Sequence, residues 1–245
     1  MKTKRQSRLQ PHLTAAKNAA DAVRQLFAGR RKGVCALNNN YYLRYEKTEN
    51  AKYVSHLDFV RMFGRAMRRA HLPIAFSEGF NPHPLLGFAL PLSVGYTSEC
   101  EILEIVLTQE LSPAEIMERL NAVLPEGVKI LSAHEGKSNM KKLDIALYQV
   151  YPEKTPAGIA EFLSMDEILI EKKTKSGIKE CDIRGDIKDI KVTLGKIEMT
   201  LSAGSRANLK PEVVVAAMNK YIDGYHSGEC RYHRRQIDDA DMNVI

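Results

Sequence analysis

A segment of eleven residues occurs twice, and it limits the folds open to this chain more than any other feature. Leu111-Ser-Pro-Ala-Glu-Ile-Met-Glu-Arg-Leu-Asn121 aligns without a gap on Leu209-Lys-Pro-Glu-Val-Val-Val-Ala-Ala-Met-Asn219, 98 residues downstream. Leu, Pro and Asn coincide, and apolar positions 116, 117, 120 and 124 correspond to 214, 215, 218 and 222. The pattern is that of an amphipathic helix with proline at its first position. Each copy follows a strand pattern, Glu101–Leu107 in one case and Lys196–Leu201 in the other. A strand and a capped helix repeated at this interval point to a duplicated module. The other reading is a single α+β domain with two similarly capped helices.

The elements around the first copy define the module. Tyr42–Glu46 reads as a strand. Ser55–Ala70 reads as a helix, with Ser55 as N-cap and Asp58 in the first turn, where a carboxylate suits the dipole. Ile74–Ser77 is extended, Glu101–Leu107 alternates, Ser112 and Glu115 form a capping box, and Val128–Ala133 is a last strand. The order β-α-β-β-α-β is the ferredoxin-like plan, two helices on one face of an antiparallel sheet. The expected fold is therefore α+β with two tandem ferredoxin-like modules, residues 41–136 and 140–237, between a basic, flexible extension (1–40) and an acidic tail (238–245).

Charge bears on function through its placement. The net charge is +6, but residues 1–34 hold nine Lys/Arg against one acid, Asp21. The other 211 residues carry 27 basic and 29 acidic groups and are nearly neutral. Only local clusters can then support nucleic-acid binding. No apolar run approaches the roughly eighteen residues of a membrane span, and no apolar stretch follows the N-terminal positive charges, so neither a membrane nor a secretory signal is expected. Cys35, Cys100, Cys181 and Cys230 form no C-x-x-C pair. They read as reduced cytoplasmic thiols rather than as ligands of zinc or an iron–sulfur cluster.

Three places carry candidate contact residues. On the helix over 55–70, Leu57, Val60, Phe63, Met67 and Ala70 form the predicted core stripe, while Arg61, Arg65, Arg68 and Arg69 fall within about 100° on the opposite arc. Guanidinium groups suit bidentate recognition of phosphate or carboxylate. Phe76-Ser-Glu-Gly-Phe-Asn-Pro-His-Pro84 is a loop stiffened by two prolines. Phe80 offers a stacking surface, and Asn81 and His83 offer hydrogen bonds. His56 and His83 are candidate acid–base residues; a metal set of His56, Asp58 and His83 matches no ligand spacing, and none is predicted. The third place is the turn into the second repeat helix, with Ser205, Arg206, Asn208 and Lys210 near a helix N-terminus. Arg231-Tyr-His-Arg-Arg235, in the last strand, would either extend a nucleic-acid surface or protect a sheet edge.

Taken together, Tyr42-Leu-Arg-Tyr-Glu-Lys, Tyr53-Val-Ser-His-Leu-Asp58, Arg65-Ala-Met-Arg-Arg-Ala70, Leu72-Pro, Ser77-Glu-Gly-Phe-Asn-Pro-His-Pro84 and Ser202-Ala-Gly-Ser-x-x-Asn-Leu-Lys-Pro-Glu212 resemble the bacterial radical SAM-linked protein family. The resemblance runs from about Tyr41 to Ile237. That family is a domain of unknown function found beside, or fused to, B12-binding-type radical SAM proteins. The resemblance implies a bacterial cytoplasmic protein with a radical SAM partner; this chain lacks the Cx3Cx2C cluster motif, so radical chemistry would belong to that partner. Three functions stay open: an accessory RNA- or substrate-binding subunit with no cofactor of its own, a metal-independent RNA endonuclease using His56 or His83, and a protein–protein adaptor for the radical SAM partner.

Overall fold

A computed structural model of the chain describes residues 39–136, 140–174, 177–204 and 207–239. The expected extension over 1–40 lies outside the described residues up to residue 38, as does the end of the acidic tail, 240–245. The fold is a mixed α/β arrangement around one large, mostly antiparallel sheet.

The first half supplies β1 (Asn39–Lys47), α1 (His56–Arg69), β2 (Leu86–Phe88), β3 (Thr97–Leu107), α2 (Pro113–Asn121) and β4 (Val128–Glu135). Strand β1 is central because alternate side chains Tyr41, Leu43 and Tyr45 are all buried. It pairs antiparallel with β3 on one side and β4 on the other. The second half supplies β5 (Leu143–Tyr151), α3 (Ile159–Ser164), β6 (Leu169–Thr174), β7 (Gly177–Asp182), β8 (Ile187–Thr193), β9 (Lys196–Ser202), α4 (Pro211–Tyr221) and β10 (Arg231–Asp239). The eight-stranded sheet runs β4-β1-β3-β10-β5-β9-β8, with β2 also on β3, while β6 and β7 form a separate hairpin. Strand β2 pairs with Leu103–Ile105 of β3, and β10 pairs with its other end in parallel, His233 opposite Thr97 and Arg234 opposite Ser98.

Each half has its own apolar core. Phe59, Phe63 and Met67 of α1 and Ile116 and Leu120 of α2 pack on Leu43, Leu103 and Ile105. Val214, Val215 and Met218 of α4 pack with Phe162 on Val150, Met199 and Leu201. The two repeat helices begin at Pro113 and Pro211, as the matched segments require. Their shared asparagines also act alike. Asn121 accepts from Ile130 N–H (2.8 Å) and donates to Ile130 O (3.0 Å). Asn219 accepts from Ser227 N–H (2.8 Å) and donates to Ser227 O (3.4 Å).

Three expectations are corrected. The inward stripe of α1 is Phe59, Phe63, Ala66 and Met67, and Leu57 is 67% exposed. Phe59 and Phe63 turn the helix because they join an aromatic cluster with Tyr45 and Phe88, with centroids 5.3–6.4 Å apart. The second strand is Leu86–Phe88 rather than Ile74–Ser77. Residues 74–85 double back through the Phe76–Pro84 bridge, leaving only a single bridge from Ile74 to β3. The basic segment 231–235 lies in β10 between β3 and β5, so it protects no sheet edge.

Among the described residues no helix is long and apolar enough to cross a membrane.

Candidate functional site

Helix α1 starts at a tightly closed cap. Ser55 Oγ accepts from Asp58 N–H (3.3 Å) and donates to Asp58 Oδ2 (2.8 Å). Arg61 Nη1 pairs with Asp58 Oδ1 at 3.0 Å, one turn along an exposed face. The Ser55 hydroxyl first, and then Arg61, hold the Asp58 carboxyl below its ordinary value, with Arg65 adding in the same direction. At the other end, Arg69 Nη2 donates to Val123 O at 2.9 Å, tying the helix to the segment after α2. The helix closes through His71 N–H to Arg68 O (3.1 Å) and Leu72 N–H to Met67 O (3.1 Å), with His71 at φ +52°. This is a Schellman closure with histidine where glycine is usual.

The four predicted arginines are all exposed on one arc but differ in state. Arg61 and Arg69 have partners. Arg65 and Arg68 have no ion pair or side-chain hydrogen bond among the described residues, so two planar cations face outward from neighbouring turns.

The loop after α1 is fastened by three contacts between Ser77 and His83. Ser77 N–H donates to His83 O (2.9 Å), His83 N–H donates to Ser77 Oγ (3.1 Å), and Ser77 Oγ meets His83 Nδ1 at 2.8 Å. Gly79 turns the chain at φ +118°, a conformation that side chains disfavour. The tip therefore projects Phe80 fully into solvent (111% exposed), with Asn81 and His83 also exposed. A Cβ on Gly64 would stand 3.7 Å from Pro84 Cγ, so the base of the loop rests against α1. Gly64 precedes Arg65 by one residue and Arg68 by four, which sets the loop beside the arginine arc. His56 is elsewhere: its ring meets Phe88 edge-on at 5.4 Å and shares no hydrogen bond or ring contact with His83. Among the described residues no group of three or more His, Cys, Asp or Glu side chains is placed to hold a metal ion.

Of the third predicted place, Ser205 and Arg206 lie outside the described residues. Asn208 and Lys210 line a cleft of about 930 Å³ between the β6–β7 hairpin and α4, floored by Ile170, Ile183, Leu209 and Val213. Gly204 is required there because a Cβ would collide with the Leu143 carbonyl. Lys210 does not stand free: its Nζ is 3.5 Å from Glu212, whose carboxylate also accepts from the Tyr96 hydroxyl.

Sequence reasoning missed how β10 divides its charges. Arg231, His233 and Arg235 face a polar pocket, while Tyr232 and Arg234 point to the packed side, as strand alternation dictates. Arg234 is 1% exposed and clamps the Glu101 carboxylate with contacts of 2.7–2.9 Å, donating also to Leu90 O at 2.7 Å. Burial is the largest single influence and acts to lower its pKa, but Glu101, Tyr148 and Cys100 together outweigh it and the net shift is upward.

No curated protein matches the sequence. A family profile described as an uncharacterized protein conserved in bacteria (DUF2344) matches residues 40–211, more than half of the chain. The chain belongs to that family.

Proposed function

We propose that this protein is an RNA-binding accessory subunit that works with a radical SAM enzyme and has no radical chemistry of its own, built from two tandem ferredoxin-like modules joined edge to edge. The strand orders support the modular reading: β4-β1-β3-β2 in the first half and β10-β5-β9-β8 in the second are the same 4-1-3-2 order, and each half carries two helices. The partner follows from the motif resemblance, and the absence of a Cx3Cx2C motif assigns the radical step to the partner. One observation carries the RNA reading: Arg65 and Arg68, without an ion pair or side-chain hydrogen bond among the described residues, stand beside a loop fastened at Ser77 and His83 whose tip presents Phe80 to solvent. Arginines grip phosphates and an exposed ring stacks on a base, the combination that single-stranded RNA binding uses.

Filter binding of cellular RNA over a salt series tests this. Affinity is expected to fall steeply with salt, and Arg65→Gln with Arg68→Gln is expected to lower the log–log slope by roughly 1 to 2, about 0.7–0.9 for each lost phosphate contact. Salt-independent binding, or a slope untouched by the double variant, sinks the reading.

The adaptor reading has one observation in its favour. Tyr53 (62% exposed) and Leu57 (67% exposed), four residues apart around the start of α1, are large apolar side chains open to a protein partner. Co-purification of the radical SAM partner with and without RNase separates the two. The endonuclease reading would use His56 or His83 as its acid–base residue, and its test is RNA cleavage in EDTA that is lost with His56→Ala or His83→Ala.

A further inference from the structure

The seam between the two halves holds a second polar concavity, unrelated to the arginine arc of α1. It has a volume of about 440 Å³, and its wall comes from both sides: Lys52, Gly95 and Thr97 from the first half, Gln149, Tyr151, Arg231, His233 and Arg235 from the second. No carboxylate residue contributes to that wall, whereas Lys52, Arg231 and Arg235 all do.

The cations differ in how far they are already neutralised. Arg235 Nη1 is paired with Glu99 at 2.7 Å. Lys52 and Arg231 have no acidic partner within ion-pair distance among the described residues. The Lys52 ammonium lies 5.1 Å from the centre of the Tyr53 ring, and the Arg231 guanidinium lies 5.5 Å from that of Tyr151. Both are positioned by more than their own side chains: Lys52 O accepts from Gly95 N–H at 2.8 Å, and Arg231 pairs across the sheet with Tyr151. Glu153 and Glu229 stand in the neighbouring cleft that shares Lys52 and Arg231.

His233 adds a directional group. Its Nδ1 is 2.9 Å from Thr97 Oγ1, and that hydroxyl lies 3.4 Å from Tyr232 O. The hydroxyl fixes the ring through Nδ1 and leaves Nε2 for a ligand: Nε2 accepts when the hydroxyl gives its proton to the carbonyl and donates when it gives that proton to the ring. The pocket thus offers two cations without an acidic partner among the described residues for an oxyanion and one ring nitrogen for a hydroxyl, which can donate or accept.

We propose that this seam pocket binds a nucleotide, with its phosphate between Lys52 and Arg231 and a ribose hydroxyl hydrogen-bonded to His233 Nε2. The volume suits a sugar phosphate and falls within the range of small-ligand sites. Joining the halves is what brings these residues together, so neither half has the site by itself. The phosphate can belong to a free nucleotide or to the end of an RNA chain, and the probes below tell these apart.

The test is calorimetric titration of the full chain with adenosine 5′-monophosphate, adenosine, and pentanucleotides bearing a 5′-phosphate or a 5′-hydroxyl. The monophosphate or the 5′-phosphorylated oligomer is expected to bind, with its unphosphorylated counterpart at least tenfold weaker. Arg231→Gln and Lys52→Gln are each expected to weaken that binding about tenfold or more, while Arg65→Gln with Arg68→Gln leaves the monophosphate unaffected. Dependence on Arg231 with the oligomer alone identifies an RNA end as the source; dependence with the monophosphate identifies a free nucleotide. If Arg231→Gln lowers the melting temperature, Lys52→Gln decides. No binding of either phosphorylated probe at millimolar concentration, or binding that neither substitution weakens, overturns the proposal. Loss of RNA affinity in the α1 variant with monophosphate binding intact would leave both conclusions standing separately.

Discussion

His233 shows at one residue how surroundings decide what a side chain can do. Burial pulls its pKa below the ordinary 6.5, Glu99 opposes the shift, and Arg235 of its own strand assists it. As pH falls through about 6.5, an unfolded chain takes up a proton on this ring while the folded chain resists it. The stabilisation is therefore complete above that pH and is lost progressively below it. His233→Gln is expected to flatten the decline in urea midpoint between about pH 7.5 and 5.5, and an unchanged slope would show the ring to be as well hydrated as in the unfolded chain. The sequence marked residues 231–235 as basic and aromatic, but a charge run read without its strand phase does not say which members are buried. Arg65 and Arg68 were easier: a helix period separates them from Phe63 and Met67 at once. Which arginines stay unpaired was not legible, because Val123, the partner of Arg69, is 54 residues away.

Among the elements, the repeat helices carry the most legible structure in the chain. Pro113 and Pro211 start helices as expected, and the buried faces fall on the matched apolar positions, with Ile116, Leu120, Val214 and Met218 fully enclosed. The shared asparagine explains itself only in three dimensions. Asn121 and Asn219 each satisfy both backbone groups of one residue beyond the helix, fastening α2 to β4 and α4 to the turn before β10. Truncating either to alanine leaves a donor and an acceptor without partners, so Asn121→Ala and Asn219→Ala are each expected to cost about 1–3 kcal/mol in chemical denaturation. The clamps lie in different cores, and the double variant should lose close to the sum. A cost at one site and none at the other would mean that the asparagines match in sequence without sharing a task. The β6–β7 hairpin and the six-residue α3 stand where α1 stands in the first half, and no periodic signal announced them. The hairpin's described side chains are mostly exposed, so burial imposed little pattern on its sequence.

At the scale of the molecule, the two halves meet through two ladder pairs between β3 and β10 and through side chains gathered there. Tyr96, from the first half, stacks on Tyr232 at 4.6 Å and bonds Glu212 at the start of α4. Next to it, Arg234 and Glu101 form an ion pair with both side chains at most 4% exposed, linking residues 133 apart in sequence. No local pattern can reveal such a pair, since an arginine among other basic residues reads as surface until its carboxylate is found. A buried pair of this kind is costly to break because the remaining charge has neither water nor partner, yet an apolar pair of similar volume can replace it at little cost. Arg234→Met strands Glu101 and is expected to lower stability by about 3–5 kcal/mol, while Arg234→Met with Glu101→Leu should recover most of that loss. The same variants test whether the halves act as one unit. If the pair couples the cores, Arg234→Met should separate a single calorimetric transition into two, and the double apolar variant should restore one. A single transition in all three proteins would place the coupling in the tyrosine stack instead, and Tyr96→Leu would then be the variant that divides it.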